Sequence, residues 1–266
     1  MLDTAAPWNM VAEGYAATTS KMFEAYANAA INLSHIDATS HVLDVACGPG
    51  TLPLLAHDRC RSIKAIDFAE QMLSVFRRAI NNASINNIEV SCGDAQCLPY
   101  ENETFDIAFS LFGLMFFPDR GKAYAEIHRC LKPGGEVIIS SWAPVADSPA
   151  MQTMFGAIRA MNPQIPEPET VIDSLENADF FKSELEQAGF RDVVIHRVTE
   201  HYPIDSVEGI WQELVMGSAP IAMMKNKLPA DQWQAKEVIA KQFLTNALPD
   251  LPTSLSSDAW LGYGVK

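Results

Sequence analysis

Apolar positions in residues 41–142 follow two alternating periods. Short, almost unbroken apolar runs predict buried strands over residues 41–46, 62–68, 88–92, 105–112 and 136–142. Between them lie stretches with helical spacing. Residues 51–56 read as a helix with Pro53 in its first turn, where a missing N–H costs little. Residues 69–83 place Met72, Leu73, Phe76 and Ile80 on one helical face. Residues 123–131 read as a helix stopped by Pro133-Gly134-Gly135. Strand–helix alternation sustained over about a hundred residues predicts a doubly wound, parallel α/β sheet.

The flanks are less regular. Residues 11–33 are Ala-rich and read as one or two helices, with Gly14 as the break. Residues 149–161 and 174–188 read as helices, 191–201 as β-rich, 207–248 as mostly helical and 258–266 as a terminal strand. The expectation is a single domain over residues 1–266, with a helical lid at 1–40, a core at 42–142 and a helical insertion at 205–257. Ordinary connections run roughly 2–6 residues, so an insertion of this size reads as a substrate cap.

Composition narrows the function classes. The chain has 266 residues, 48% hydrophobic and 20% charged, with a net charge of −14. That is globular composition. The acidic excess, with no cluster denser than Arg77-Arg78, argues against a nucleic-acid partner. No run approaches the ~18 apolar residues of a membrane span, so no stable membrane insertion is expected. The N-terminus has neither the basic nor the apolar region of a secretory signal. Five scattered cysteines without a C-x-x-C pair fit reduced thiols and a cytoplasmic location. No His or Cys spacing suggests a metal site.

In a doubly wound sheet, ligands bind at the carboxyl ends of the strands. Three carboxylates fall there: Asp44 near the end of the first strand, Asp67 ending the second, and Asp94 after the third. The turn Ala46-Cys47-Gly48-Pro49-Gly50 lies between the first two, and its glycines allow close backbone approach to a ligand. Asp67 stands 23 positions after Asp44, the distance at which a second-strand carboxylate grips ribose hydroxyls. A dinucleotide and an adenosyl ligand both fit that much. Pro53 occupies the place of the third small residue of a dinucleotide fingerprint, and Asp44 brings negative charge where a pyrophosphate would lie. A ligand with an ammonium and a sulfonium suits Asp44 better.

Val42 to Gly50 resembles the first motif of class I S-adenosylmethionine (SAM) dependent methyltransferases, with Ala46 replacing the commonest first glycine. Ala65-Ile66-Asp67-Phe68 is similar to that family's acidic second strand. Gly93-Asp94-Ala95, Leu98-Pro99-Tyr100 and Phe105-Asp106 resemble its adenine-binding and fourth-strand motifs, and Leu131 to Glu136 its following turn. The nearest subgroup is similar to the small-molecule methyltransferases of ubiquinone and menaquinone biosynthesis.

The resemblance implies a Rossmann-like, mostly parallel seven-stranded sheet with an antiparallel last strand. It also implies SAM as cofactor, with S-adenosylhomocysteine as product. Asp44 and the backbone of Ala46, Cys47, Gly48 and Gly50 would hold the methionine moiety. Asp67 would bind the ribose, Asp94 and Ala95 the adenine edge, and Phe68 with Met72 its faces. Ser110, Leu111 and Phe112 would sit nearest the sulfonium.

Other candidates concern the acceptor. Phe112, Met115, Phe116 and Phe117 form an apolar cluster past the fourth strand. Trp142 ends the fifth strand, Trp8 and Tyr15 suit a lid, and Trp211 stands in the insertion; all four are candidate acceptor contacts. His196 or His201 is a candidate base. Asp106, at the opposite sheet edge, reads as structural. These features predict methyl transfer to a small, largely apolar or aromatic acceptor. The alternatives are a SAM-binding protein without activity and an NAD-dependent oxidoreductase.

Overall fold

The computed structural model describes residues 2–169 and 171–266. These residues form one seven-stranded sheet in the order β3-β2-β1-β4-β5-β7-β6. Its strands are β1 (His41–Val45), β2 (Ser62–Asp67), β3 (Ile88–Cys92), β4 (Phe105–Leu111), β5 (Leu131–Trp142), β6 (Arg191–Ile204) and β7 (Thr253–Val265). The five amino-terminal strands pair in parallel. β7 runs antiparallel to both of its neighbours, β5 and β6. The expected sheet, antiparallel last strand included, is therefore present.

Adjacent residues of β1 explain its unbroken apolar run. Leu43 and Val45 pack into one core with Ile66, Phe105, Tyr124, Ile127 and Phe181. Val42 packs into a second core with Ile63, Ile107, Phe109 and Ile138. A strand covered on both faces has no polar alternation to show. The first core is closed by α5 (Arg120–Cys130) and α7 (Ala178–Gln187), and the second by α2 (Thr19–Leu33) and α3 (Thr51–Ala56). α4 (Glu70–Ala83) covers β2 and β3 through Leu73, Phe76 and Ile80.

Several boundaries differ from the periodicity, each for a local reason. The break between α1 (Ala5–Ala17) and α2 falls at Thr18, not Gly14. Thr18 turns both its N–H and its hydroxyl onto the Gly14 carbonyl oxygen, at 3.0 and 2.8 Å, and ends the helix. Gly14 is small for another reason: a Cβ there would stand 2.2 Å from the carbonyl oxygen of Met216. α5 ends at Cys130, and β5 begins at Leu131, opposite Phe105, before a register shift carries it past the Pro-Gly-Gly segment. Asp106 holds the amino-terminal sheet edge. It accepts the His41 N–H at 2.8 Å and the Lys132 ammonium at 2.7 Å.

The segment between β6 and β7 folds into α8 (Val207–Gly217), α9 (Ala219–Lys227) and α10 (Ala230–Ala247), which pack with α6 (Pro149–Met161). Trp211 lies at the centre of that packing. Its ring stacks on Trp233 at 5.9 Å, its Nε1–H donates to Glu237 Oε1 at 2.9 Å, and it is 1% exposed. The expectation that Trp211 touches the acceptor is thereby corrected: Trp211 does not line the cavity, whereas its α8 neighbours Ile210, Glu213, Leu214 and Gly217 do. Trp211→Ala is expected to cost about 3–5 kcal/mol of stability, the range for removing a large aromatic from a packed core. Denaturant unfolding measures this, and a loss under about 1 kcal/mol would contradict the packing.

Candidate functional site

The strand order reverses between β1 and β4, and the crevice outside such a reversal is where open α/β sheets bind ligands. The turn after β1 sits there. Ala46, Gly48 and Gly50 have φ of 57°, 55° and 89°. Left-handed backbone is strained for any residue with a Cβ, which gives a physical reason why glycine is the common residue at the position of Ala46. Gly113 accommodates the alanine, since a Cβ on Gly113 would stand 2.5 Å from the Ala46 Cβ. Gly50 faces the Phe76 ring, which a Cβ would meet at 2.2 Å. At Gly48 a Cβ would meet nothing within 4 Å, so the space above that backbone is open to a ligand.

Asp67 ties this turn to the next strand. Its Oδ2 accepts the Gly48 N–H and its Oδ1 the Ala69 N–H, each at 2.8 Å. The Cys47 N–H donates to the Ile66 carbonyl oxygen at 3.1 Å. The carboxylate is 7% exposed, and burial lifts its pKa above the usual value although both amides pull it down. Asp44 is 2% exposed, and its carboxyl has no hydrogen bond among the described residues. Burial first, and the neighbouring Asp67 second, push its carboxyl well above the ordinary range. Asp44 opens into a small cleft shared with Tyr15, Phe23, Ala46, Cys47, Gly48, Thr51 and Leu111. An unpartnered buried carboxylate beside an open glycine turn fits the ammonium end of a SAM methionine moiety and repels a pyrophosphate.

The cleft adjoins a cavity of about 930 Å³, near the top of the roughly 300–1,000 Å³ range of ligand pockets. Asp67, Phe68, Met72, Asp94 and Ala95 line one end. Phe68 is 40% exposed at the rim, whereas Met72 is buried beside Val11, Ala12 and Ala69. Asp94 is exposed, and its Oδ1 accepts the Gln96 N–H at 2.8 Å. The other end is lined by Leu111, Phe112, Met115, Phe116, Phe117 and Trp142. Phe112 has φ 54°, and its N–H donates to Ser140 Oγ at 2.9 Å. Its ring lies 4.3 Å from Trp142, 4.7 Å from Phe23 and 5.3 Å from Tyr26. Trp8 and Tyr15 of α1 also line the cavity, with Trp8 packed on Phe116 at 5.1 Å.

Of the cofactor and acceptor residues read from sequence, two besides Trp211 lie off the cavity and the cleft. Ser110 is fully buried, its Oγ without a partner beneath Gly113. Gly50 supports the turn from behind, against Phe76. His201 reaches the cavity rim and His196 does not. Sequence reasoning missed Phe23, Glu200, Tyr202 and Ser257, which line the cavity from α2, β6 and β7. No motif marks them. The only signal was the two-residue alternation of the terminal strands.

Residues 43–139 match the family model described as a methyltransferase domain. A demethylmenaquinone methyltransferase of Listeria welshimeri is 32% identical over 110 residues, 40% of this chain and 47% of that protein. The chain thus spans about half the length of the curated relatives it matches. The crystal structure of the YcgJ protein from Bacillus subtilis superposes with a TM-score of 0.58 at 18% identity, covering 90% of this chain and 97% of that one. Phosphoethanolamine N-methyltransferase 2 of Haemonchus contortus, in complex with phosphomonomethylethanolamine and S-adenosylhomocysteine, superposes with a TM-score of 0.56 at 17% identity, covering 91% and 52%. These two structures support the fold.

The raised carboxyl pKa of Asp44 has a testable sign. A group that holds its proton more tightly when folded favours the folded state at low pH, and that contribution is lost as pH rises through the folded pKa. At neutral pH an ionised Asp44 is a cost to the ligand-free protein. Asp44→Asn is therefore expected to raise the melting temperature of the ligand-free protein at pH 7 and to weaken SAM binding. Calorimetry of both properties checks it; a variant with lower stability and unchanged affinity would refute the assignment.

Proposed function

From the premise that the chain belongs, by its segment 43–139 and its fold, to the class I SAM-dependent methyltransferases, we propose that it transfers a methyl group from SAM to a small, largely apolar acceptor. The observation that carries this reading is one cavity joining two unlike ends. One end offers buried carboxylates and an open glycine turn; the other is walled by Phe23, Phe112, Met115 and Trp142. Bound SAM supplies an activated methyl on a sulfonium.

The chain's own residues bind and align. Asp44 and the Gly48 turn hold the methionine moiety. Asp67 grips the ribose through the lone pairs that its two amide bonds leave free. Phe68, Met72, Asp94 and Ala95 hold the adenine. Leu111 and Phe112 stand between the two ends, where the methyl crosses. α1 and the inward faces of α8 and α9 cover the cavity and exclude water. Alignment alone can contribute roughly 7–11 kcal/mol in well-oriented systems, which suits a site that relies on positioning. Among the described residues no helix is long and apolar enough to cross a membrane; the acceptor is proposed to reach the cavity as a small molecule. A cytoplasmic location is part of the same reading.

Titration with SAM and S-adenosylhomocysteine tests the cofactor half. Asp67→Ala should weaken both ligands tenfold or more, since a hydrogen bond to a charged group contributes roughly 1.5–3 kcal/mol and about 1.4 kcal/mol is tenfold. An unchanged dissociation constant in a folded variant would remove Asp67 from the site. Label transfer from methyl-tritiated SAM to pooled small metabolites tests the chemistry. Trp142→Ala should then raise the acceptor's KM while leaving SAM affinity within about twofold. Activity confined to nucleic acid or protein would overturn the proposal.

A further inference from the structure

The aromatic end of the cavity contains three polar groups that nothing above uses. β6 and β7 lie side by side there, with Glu200 paired across from Ser257. Tyr202 is two residues further along β6, on the same face. All three line the cavity. Ser257 is 1% exposed and its Oγ has no hydrogen-bond partner; Tyr202 Oη has none either. The adjacent Tyr26 directs its own hydroxyl to the Ser257 carbonyl oxygen at 2.8 Å. Glu200 is half-buried and makes no ion pair among the described residues. Its charge is felt by both Tyr26 and Tyr202, whose phenols burial holds protonated. The basic groups that line the whole cavity are Lys21 and His201, both exposed at its margin.

A buried polar atom without a partner is costly, and native structures seldom leave one unexplained. Here two such oxygens and a carboxylate belong to residues on one face of the β6–β7 pair that line the cavity with the aromatic rings. The Glu200 carboxylate only accepts, and each hydroxyl has lone pairs besides its own hydrogen, so the three together can take the three hydrogens of a primary ammonium. The rings of Phe23, Tyr26, Phe112 and Trp142 add faces that attract a cation. A hydroxyl would satisfy one of the three acceptors as a donor and bring lone pairs toward the carboxylate.

We propose that Glu200, Tyr202 and Ser257 receive a primary ammonium group on the acceptor, whose apolar body lies against Phe112 and Trp142; the acceptor is an apolar amine. This rests on the methyltransferase reading above and names its substrate class.

Three isosteric probes test it by calorimetry on protein saturated with S-adenosylhomocysteine: 1-naphthylmethylamine, 1-naphthalenemethanol and 1-methylnaphthalene. The wild type should bind the amine at least tenfold tighter than the alcohol. Glu200→Gln should bring that ratio near one and leave the affinities for 1-methylnaphthalene and S-adenosylhomocysteine unchanged. Ser257→Ala and Tyr202→Phe should each reduce the ratio severalfold, and they decide the matter if Glu200→Gln does not fold. A protein that binds S-adenosylhomocysteine but prefers the alcohol, or binds none of the probes, overturns the amine assignment alone. A ratio indifferent to all three substitutions does the same. Failure to bind S-adenosylhomocysteine overturns the methyltransferase reading instead.

Discussion

The carboxylate of Asp67 is the point on which the site is built. One oxygen fixes the Gly48 amide and the other the Ala69 amide, so a single side chain sets the turn after β1, the end of β2 and the entry to α4. Each of these bonds runs to a charged acceptor and is worth roughly 1.5–3 kcal/mol. Yet the pKa of Asp67 is raised, with burial as the largest cause. Desolvation therefore outweighs the two amides, and ionising Asp67 costs the folded protein stability. Asp44 adds a second buried carboxylate close enough to feel the first. Two carboxyls that each resist ionisation in one dry corner make little sense for a resting scaffold. They make sense for a site completed by a ligand carrying positive charge, because such a ligand relieves the repulsion as it binds.

Backbone strain clusters in the same place. Ala46 and Phe112 are both left-handed, at the carboxyl ends of the paired strands β1 and β4. Conformations of this kind cost of order 1–3 kcal/mol each and persist only where the surroundings hold them. Ala46 is held by the Cys47–Ile66 bond and by the absence of a side chain on Gly113. Phe112 is held by Ser140 and by the rings packed around it. The result is a phenylalanine that leaves the strand's alternation and stands in the cavity wall, while Ser110 stays buried beneath Gly113.

This difference explains how much the sequence disclosed. The common placement of Asp44, Gly48, Asp67 and Asp94 at one sheet edge was legible because each stands at a fixed offset from a strand end, and those offsets survive in one dimension. The five parallel strands were legible because covered strands leave apolar runs, and β6 shows instead as alternation along a half-exposed strand. Trp211 was misplaced because a helix with apolar residues on both sides presents two candidate faces, and composition does not say which one meets the cavity. Glu200, Tyr202 and Ser257 were invisible for a related reason. Their meaning comes from the pairing of β6 with β7, which brings together residues 57 positions apart (Glu200 and Ser257) with the helices α8 to α10 between them.

The same division bears on what the relatives imply. The family match covers residues 43–139, which hold Asp44, Gly48, Asp67, Asp94 and Phe112. Of the groups at the acceptor end, Phe23, Tyr26, Trp142, Glu200, Tyr202 and Ser257 all lie outside it. The matched segment thus holds the carboxylate and glycine-turn end of the cavity together with Phe112, Met115, Phe116 and Phe117, and the remaining chain completes the other end. Resemblance to demethylmenaquinone methyltransferases over that segment bears on the donor of the methyl group and says little about its recipient. On the proposed reading, acceptor selectivity follows from how α2, β6 and β7 meet the end of β5. A different set of side chains on those three elements would change the substrate without disturbing the glycine turn or the carboxylate that holds it.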